Sequence, residues 1–217
     1  MRTPSASRQA RTARGLTVIE MMVVVVVAAI ILALAVPSMR DFLARQRVAA
    51  VNAELVTDLQ FARSEAVARN RSVYVTFLRT DPLSGSPPMS CYTIHTLGTV
   101  GSCDCRKPLG TSCLTSAGAT IANIIEIKTV QVLDTTTVGF LPPALPANRL
   151  GFNSTQGLAF WSGHLSTDAD YVADWQDFQV GVESSLSGKL RTSVGITGRP
   201  QVCSPDGSFS GVPRCAE

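Results

Sequence analysis

The residues of this 217-residue chain whose chemistry needs an account are six cysteines, two histidines and one glutamate set into an apolar run. Cys91, Cys103, Cys105, Cys113, Cys203 and Cys215 form an even set with no CxxC pair and no histidine cluster beside them. Disulfides in an oxidising compartment therefore suit them better than a tetrahedral zinc site. Cys103 and Cys105 flank a single residue, too close for an easy mutual bridge, so each is expected to reach Cys91 or Cys113, with the choice left open by the spacing. Cys203 and Cys215 bracket "SPDGSFSGVPR" and are expected to close a terminal loop, contributing about 3 kcal/mol in the chain-entropy account. His95 and His164 stand alone, each reading as a surface or strand residue. No G-x-S-x-G elbow, phosphate-binding glycine loop or paired metal-ligand motif accompanies them. The residue types thus argue against an enzyme and call for no cofactor and no metal.

Glu20 is harder to place. From Leu16 to Val36 the chain is apolar except for Thr17 and Glu20, about the length a helix needs to cross a hydrocarbon core. A carboxylate there costs at least ~2.5 kcal/mol unless it has a partner or a special position. Arg2, Arg8, Arg11 and Arg14 make a basic, acid-free stretch ahead of it. Two ordinary accounts compete: a secretory peptide cut after Ala33-Leu34-Ala35, and an uncleaved anchor. Neither gives Glu20 a role. A cut between Gly15 and Leu16 does, because the new amino group lies four residues before Glu20 on the same helix face, at the helix end that favours negative charge.

A basic leader ending in Gly15, an apolar residue, a glutamate at the fifth position after the cut and a long apolar helix together resemble the class III signal of type IV pilins and type II secretion pseudopilins. The resemblance implies that prepilin peptidase cuts after Gly15 and methylates the amine of Leu16, which stands where phenylalanine is usual. It implies that Glu20 pairs with the amino terminus of a neighbouring subunit during assembly. It also makes Pro37, the twenty-second residue after the cut, a helix kink. The implied partners are the peptidase, other major and minor pilins or pseudopilins, and the inner membrane. The implied location is the bacterial inner membrane, single-pass with a periplasmic head, then the filament.

The elements that must position these residues follow from periodicity. After Pro37, Phe42, Val48, Val51, Leu55, Leu59, Ala62 and Ala66 recur at three- or four-residue steps with one six-residue gap, predicting an amphipathic helix with one buried stripe. The stretch "ELVTDLQFARSEAVARNRSVYVTF", residues 54–77, resembles the GspH/FimT group of minor pilins and pseudopilins. Arg63 and Glu65 within it read as a solvated helix face. Beyond residue 72 come β-rich runs: "SVYVTFL", "SCYTIHTL", "IIEIKTVQVL", "TTTVGFL", "GLAFWS", "DFQVGVES" and "LRTSVGIT", separated by Pro, Gly, Ser and Asn clusters. "RLGFNSTQGLAF" reads as a hairpin, and Trp161 and Trp175 as head packing. The fold class is therefore α+β and pilin-like, a long N-terminal helix with a C-terminal antiparallel β-sheet head. The division is leader 1–15, transmembrane or filament-core helix 16–38, amphipathic helix 39–71, head 72–217. The leader takes four arginines and no acidic residue with it, so a net charge of +3 becomes −1, and the basic balance says little about nucleic acid.

One segment carries binding chemistry. "GITGRPQVCSPDG", residues 195–207, resembles the Gly-Arg-x-Arg segment associated with DNA binding in FimT-like members. Gly198 and Arg199 match, but Gln201 replaces the second arginine, which removes about one phosphate contact. Lys189 and Arg191 are further candidate cations, though sparse cations are more often plain surface. The sequence reading is a minor pilin or pseudopilin incorporated into a type IV pilus, to which the disulfide-rich head and "GRPQVC" incline it. The alternatives are a type II secretion pseudopilin and a DNA-binding pilus component.

Overall fold

The computed structural model describes residues 17–79, 89–96, 103–114, 118, 124–133, 138–141, 148–161, 177–184 and 188–216, with the side chains of 35–38 left out. Gly15, Leu16, His164 and Trp175 lie outside the described residues, as does the side chain of Pro37. The chain divides into two units, Met1–Arg40 and Asp41–Glu217. A 51-residue helix, α1 (Val18–Ala68), belongs to both and runs through Pro37.

In the first unit α1 starts on a cap. The Thr17 hydroxyl accepts from the Glu20 backbone N–H at 3.3 Å, and the Thr17 carbonyl accepts from Met21 at 3.2 Å. Thr17 is thus the N-cap residue and Glu20 the third helical residue, where a carboxylate meets the positive end of the helix dipole. Large apolar side chains from Val18 to Leu34 are exposed over most of their surface. Among the described residues no single helix is long and apolar enough to cross a membrane, although Val18–Leu34 and Met39–Ala68 meet that test taken together.

In the second unit the remainder of α1 buries Ala44, Val48, Leu55, Leu59, Ala62 and Ala66. Phe42, expected in this stripe, is instead 55% exposed. Six residues from Phe42 to Val48 advance the helix by about 600°, which leaves Phe42 roughly 120° off the buried face. Two antiparallel sheets cover the stripe. The first has strand order β3-β2-β1-β5-β6, built from β1 (Val73–Arg79), β2 (Met89–Thr96), β3 (Glu126–Leu133), β5 (Arg149–Phe152) and β6 (Ala159–Trp161). The second, order β4-β7-β8-β9, contains β4 (Val138–Leu141), β7 (Phe178–Ser184), β8 (Gly188–Val194) and β9 (Pro200–Cys203). Each β-rich run of the sequence became a strand and the expected hairpin supplied β5; β9 is the addition. It is four residues long and opens on Pro200, a placement that suits an edge strand because proline cannot donate to a ladder.

Phe77, Tyr92, Phe140 and Phe178 meet at centroid separations of 5.3 to 6.5 Å and form the aromatic centre of one continuous core. Trp161 packs edge-on against Phe178 at 5.9 Å, its expected role. Buried polar groups pin the helix to both sheets. The Tyr92 hydroxyl donates to Asp58 at 2.7 Å and Lys128 pairs with the same carboxylate, while the Thr192 hydroxyl donates to Asn52 Oδ1 at 2.8 Å. Burial beside Asp58 raises the Tyr92 pKa, so the phenol stays protonated and keeps donating. Cystines join Cys91 to Cys105, Cys103 to Cys113 and Cys203 to Cys215, and the described residues include no free cysteine. The first two fasten the loop ahead of β3 onto β2 and onto itself, and the third closes the chain after β9.

Candidate functional site: a two-arginine groove on the head

Three segments converge at the end of the amphipathic helix: the last turns of α1, the β5–β6 hairpin and the β8–β9 turn. Each is shaped by local sequence. In the hairpin "NSTQG", Asn153 Oδ1 accepts from the N–H groups of Gln156 and Leu158, both at 3.1 Å, and its carbonyl accepts from Gly157 at 3.2 Å. This is the side-chain-to-backbone bonding that makes asparagine a turn former. In the β8–β9 turn the Gly198 N–H donates to the Gly195 carbonyl at 2.8 Å. The two turns are tied together where Ala159 N–H donates to the Ile196 carbonyl at 3.0 Å.

Both turns close on Arg63. Its Nε donates to the Gly157 carbonyl at 3.0 Å. Gly157 and Gly198 have φ of +64° and +70°, and neither has room for a side chain. A Cβ at 157 would stand 2.8 Å from Arg63 Cγ, and one at 198 would stand 2.5 Å from the Gly157 carbonyl oxygen. Arg63, Gly157 and Gly198 therefore form a close stack in which both glycines are required by backbone conformation and by space. Gly198 is buried and the adjacent Arg199 is exposed.

The result is an open groove of about 520 Å³ lined by Gln60, Arg63, Ser64, Gln156, Gly198 and Arg199. Among the described residues no carboxylate lines it. Arg63 uses one donor on Gly157, and among the described residues its other guanidinium nitrogens and the whole of Arg199 have no partner. The arrangement can hold an anion in a fork of guanidinium donors, with amide and hydroxyl groups at hand for hydrogen bonds.

The structure corrects one expectation and separates others. Arg63 is half-buried and bonded across 94 residues of sequence, so it is not part of a solvated face; Glu65, two residues on, does pair on the surface with Arg69. Lys189 stands opposite Glu183 in the β7–β8 ladder, and Arg191 lies between Gly181 and Cys203 on the same face of β8. Arg199 lies at the other end of that strand, in the turn beside Arg63. The three cations singled out in the sequence thus do not form one patch. The partner sequence reasoning missed is Arg63, for which the "ARSEAV" stretch gave a signal assigned to solvent. His95 lies in β2, as a strand residue, and is almost fully buried. The Thr76 hydroxyl lies 2.9 Å from its Nε2 and the Thr96 carbonyl 3.2 Å from Nδ1, an arrangement the neutral ring satisfies. Burial pushes its pKa down to about 4.

A helix carrying antiparallel sheets on its second part is the pilin-like α+β class. The model of the family described as "Type II transport protein GspH" matches residues 52–166, more than half of the chain, and the chain belongs to that family. GspH-family proteins are structural components rather than enzymes. Among solved structures, the type IV minor pilin FimU of Pseudomonas aeruginosa is similar at 16% identity, over 78% of this chain and 97% of that one, with a TM-score of 0.46. No curated protein matches the chain.

Proposed function

We propose that the chain is an exported filament subunit, a minor pilin cut between Gly15 and Leu16, methylated at Leu16 and incorporated into a type IV pilus. The observation that carries this is the first part of α1, an uncovered apolar helix with a single carboxylate, Glu20, in its first turn. In this reading the inner membrane covers that surface before assembly and neighbouring subunits cover it afterwards, while residues 72–217 form the periplasmic head. Release of the leader places an amino group at Leu16, and Glu20 then meets the amino terminus of a neighbouring subunit. Membership of the type II transport protein GspH family favours a second reading, in which the filament is the pseudopilus of a type II secretion system. A third, DNA contact through Arg199 with Lys189 and Arg191, is the weaker for their separation across β8 and its turn.

The test is Glu20→Ala. It removes a charge that is costly in a membrane, so insertion is retained, but it deletes the partner of an amino terminus. Expected is normal recovery of the variant in the membrane fraction with at least about tenfold less in sheared filaments, since a charge-assisted hydrogen bond is worth more than 1.4 kcal/mol. Native recovery in filaments ends the assembly role of Glu20.

A further inference from the structure

We infer that the groove formed by Arg63, Arg199 and the two glycine turns binds an acidic peptide segment presented by another protein subunit. The inference rests on reading the chain as a filament subunit, which places other protein chains beside the head.

Four observations lead to that ligand. Among the described residues the groove holds two guanidinium groups and no carboxylate, so their net charge is positive while the mature chain as a whole carries none in excess. The planar nitrogens of Arg63 left over from its bond to Gly157, and all those of Arg199, lack partners among the described residues, and a fork of this kind matches a carboxylate in bidentate geometry. The groove is preorganised, because Arg63 is clamped by the Gly157 carbonyl and Gly198 cannot move away from it without losing the turn. An incoming charge therefore meets donors already in place. Gln60, Gln156 and Ser64 supply both donors and acceptors, which suit the amides of a peptide backbone, and Val67 gives one apolar wall.

A nucleic-acid duplex fits less well. Two cations in a concavity neutralise few phosphates, and affinity for DNA grows with the number neutralised. The position where a further arginine would extend the charge along β9 is Gln201, which is exposed and neutral. Lys189 and Arg191 lie along β8, away from the turn that bears Arg199.

The experiment uses the full processed chain in detergent micelles and fluorescein-labelled hexaglutamate, with hexaglutamine as the neutral probe, read by fluorescence anisotropy at low and moderate salt. Hexaglutamate is expected to bind and hexaglutamine not, and added salt to weaken the complex. Arg199→Gln, an exposed change, is expected to leave thermal melting unaltered and to lower hexaglutamate affinity about tenfold, the loss of one charge-assisted bond. Arg63→Lys keeps the charge but not the fork, and is expected to lower affinity as well; if it also lowers the melting temperature, Arg199→Gln alone decides. A 20-base-pair duplex is expected not to displace the peptide. Absence of hexaglutamate binding, equal binding of hexaglutamine, an unchanged affinity in Arg199→Gln, or displacement by the duplex would each overturn the inference, the last in favour of phosphate. None of these outcomes depends on Glu20, so failure here and failure of the filament reading are read separately.

Discussion

Residues 18–34 and residues 44–66 belong to one helix and have opposite surfaces. In the first stretch Val18 is 78% and Leu34 74% exposed, and the apolar residues between them are uncovered on every side. In the second, Val48, Leu55, Ala62 and Ala66 are fully buried while Arg45, Glu54 and Gln60 face outward. Helix formation is common to both, so it explains neither. What differs is the spacing of polar residues: the second stretch has one apolar stripe for the sheets to cover, and the first is apolar all round. Five successive β-branched residues, Val23 to Val27, are moderate helix formers in water. An environment without water, where every backbone group must bond within its own segment, holds such a run in helix far better. The cover for the second stretch is in the chain itself. For the first, the described part of the chain provides none.

That contrast is most easily broken by a pair of truncations. Leu59→Ala removes a buried side chain from the core beneath both sheets and is expected to destabilise the head by about 3 to 5 kcal/mol. Val25→Ala, at a residue 62% exposed, is expected to change the unfolding free energy of the head by less than about 0.5 kcal/mol. Urea titrations of both variants in detergent, followed by near-ultraviolet circular dichroism, make the comparison. Similar losses from the two changes would show that the first stretch is part of the head's core after all.

A second, smaller effect sharpens the contrast through pH. His95 titrates near 4 in the folded head, against about 6.5 in the unfolded chain. Between those values the unfolded state binds the proton and the folded state does not, so the head loses stability as pH falls from about 6.5 toward 4, by roughly 3 kcal/mol if other groups are unaffected. Arg149 adds to the depression and Glu126 opposes it, both being weaker than burial. The expected result is a urea midpoint that falls between pH 7 and pH 4.5 in the native chain and falls less in His95→Gln. The first stretch contains no histidine, and its helical signal is expected to persist. Equal slopes in native and variant would remove His95 from the account.

The parts of this fold legible in the sequence are those written in period and composition. The amphipathic stripe from Val48 to Ala66 and the seven β-rich runs follow from alternation and from the Gly, Pro and Asn clusters that separate them. Phe42 was misplaced because a six-residue gap looks regular in a list and is not regular on a helix. β9 went unnoticed because "PQVC" is short, begins with proline and has no alternation; only its ladder with Arg191 to Val194 makes it a strand. The groove was half legible. Gly198 and Arg199 stood out, but Arg63 is brought to them by packing between residues 94 positions apart, which no local pattern records. Glu20 was legible as an anomaly, while its hydrogen-bonded place after Thr17 came only with the structure.

The central claim is that the first stretch of α1 becomes the amino end of a mature subunit, and intact mass of the chain recovered from the membrane fraction of its native host tests it most directly. The account predicts a chain beginning at Leu16 and carrying one added methyl group. A chain beginning at Val36, with the apolar stretch removed, would contradict it.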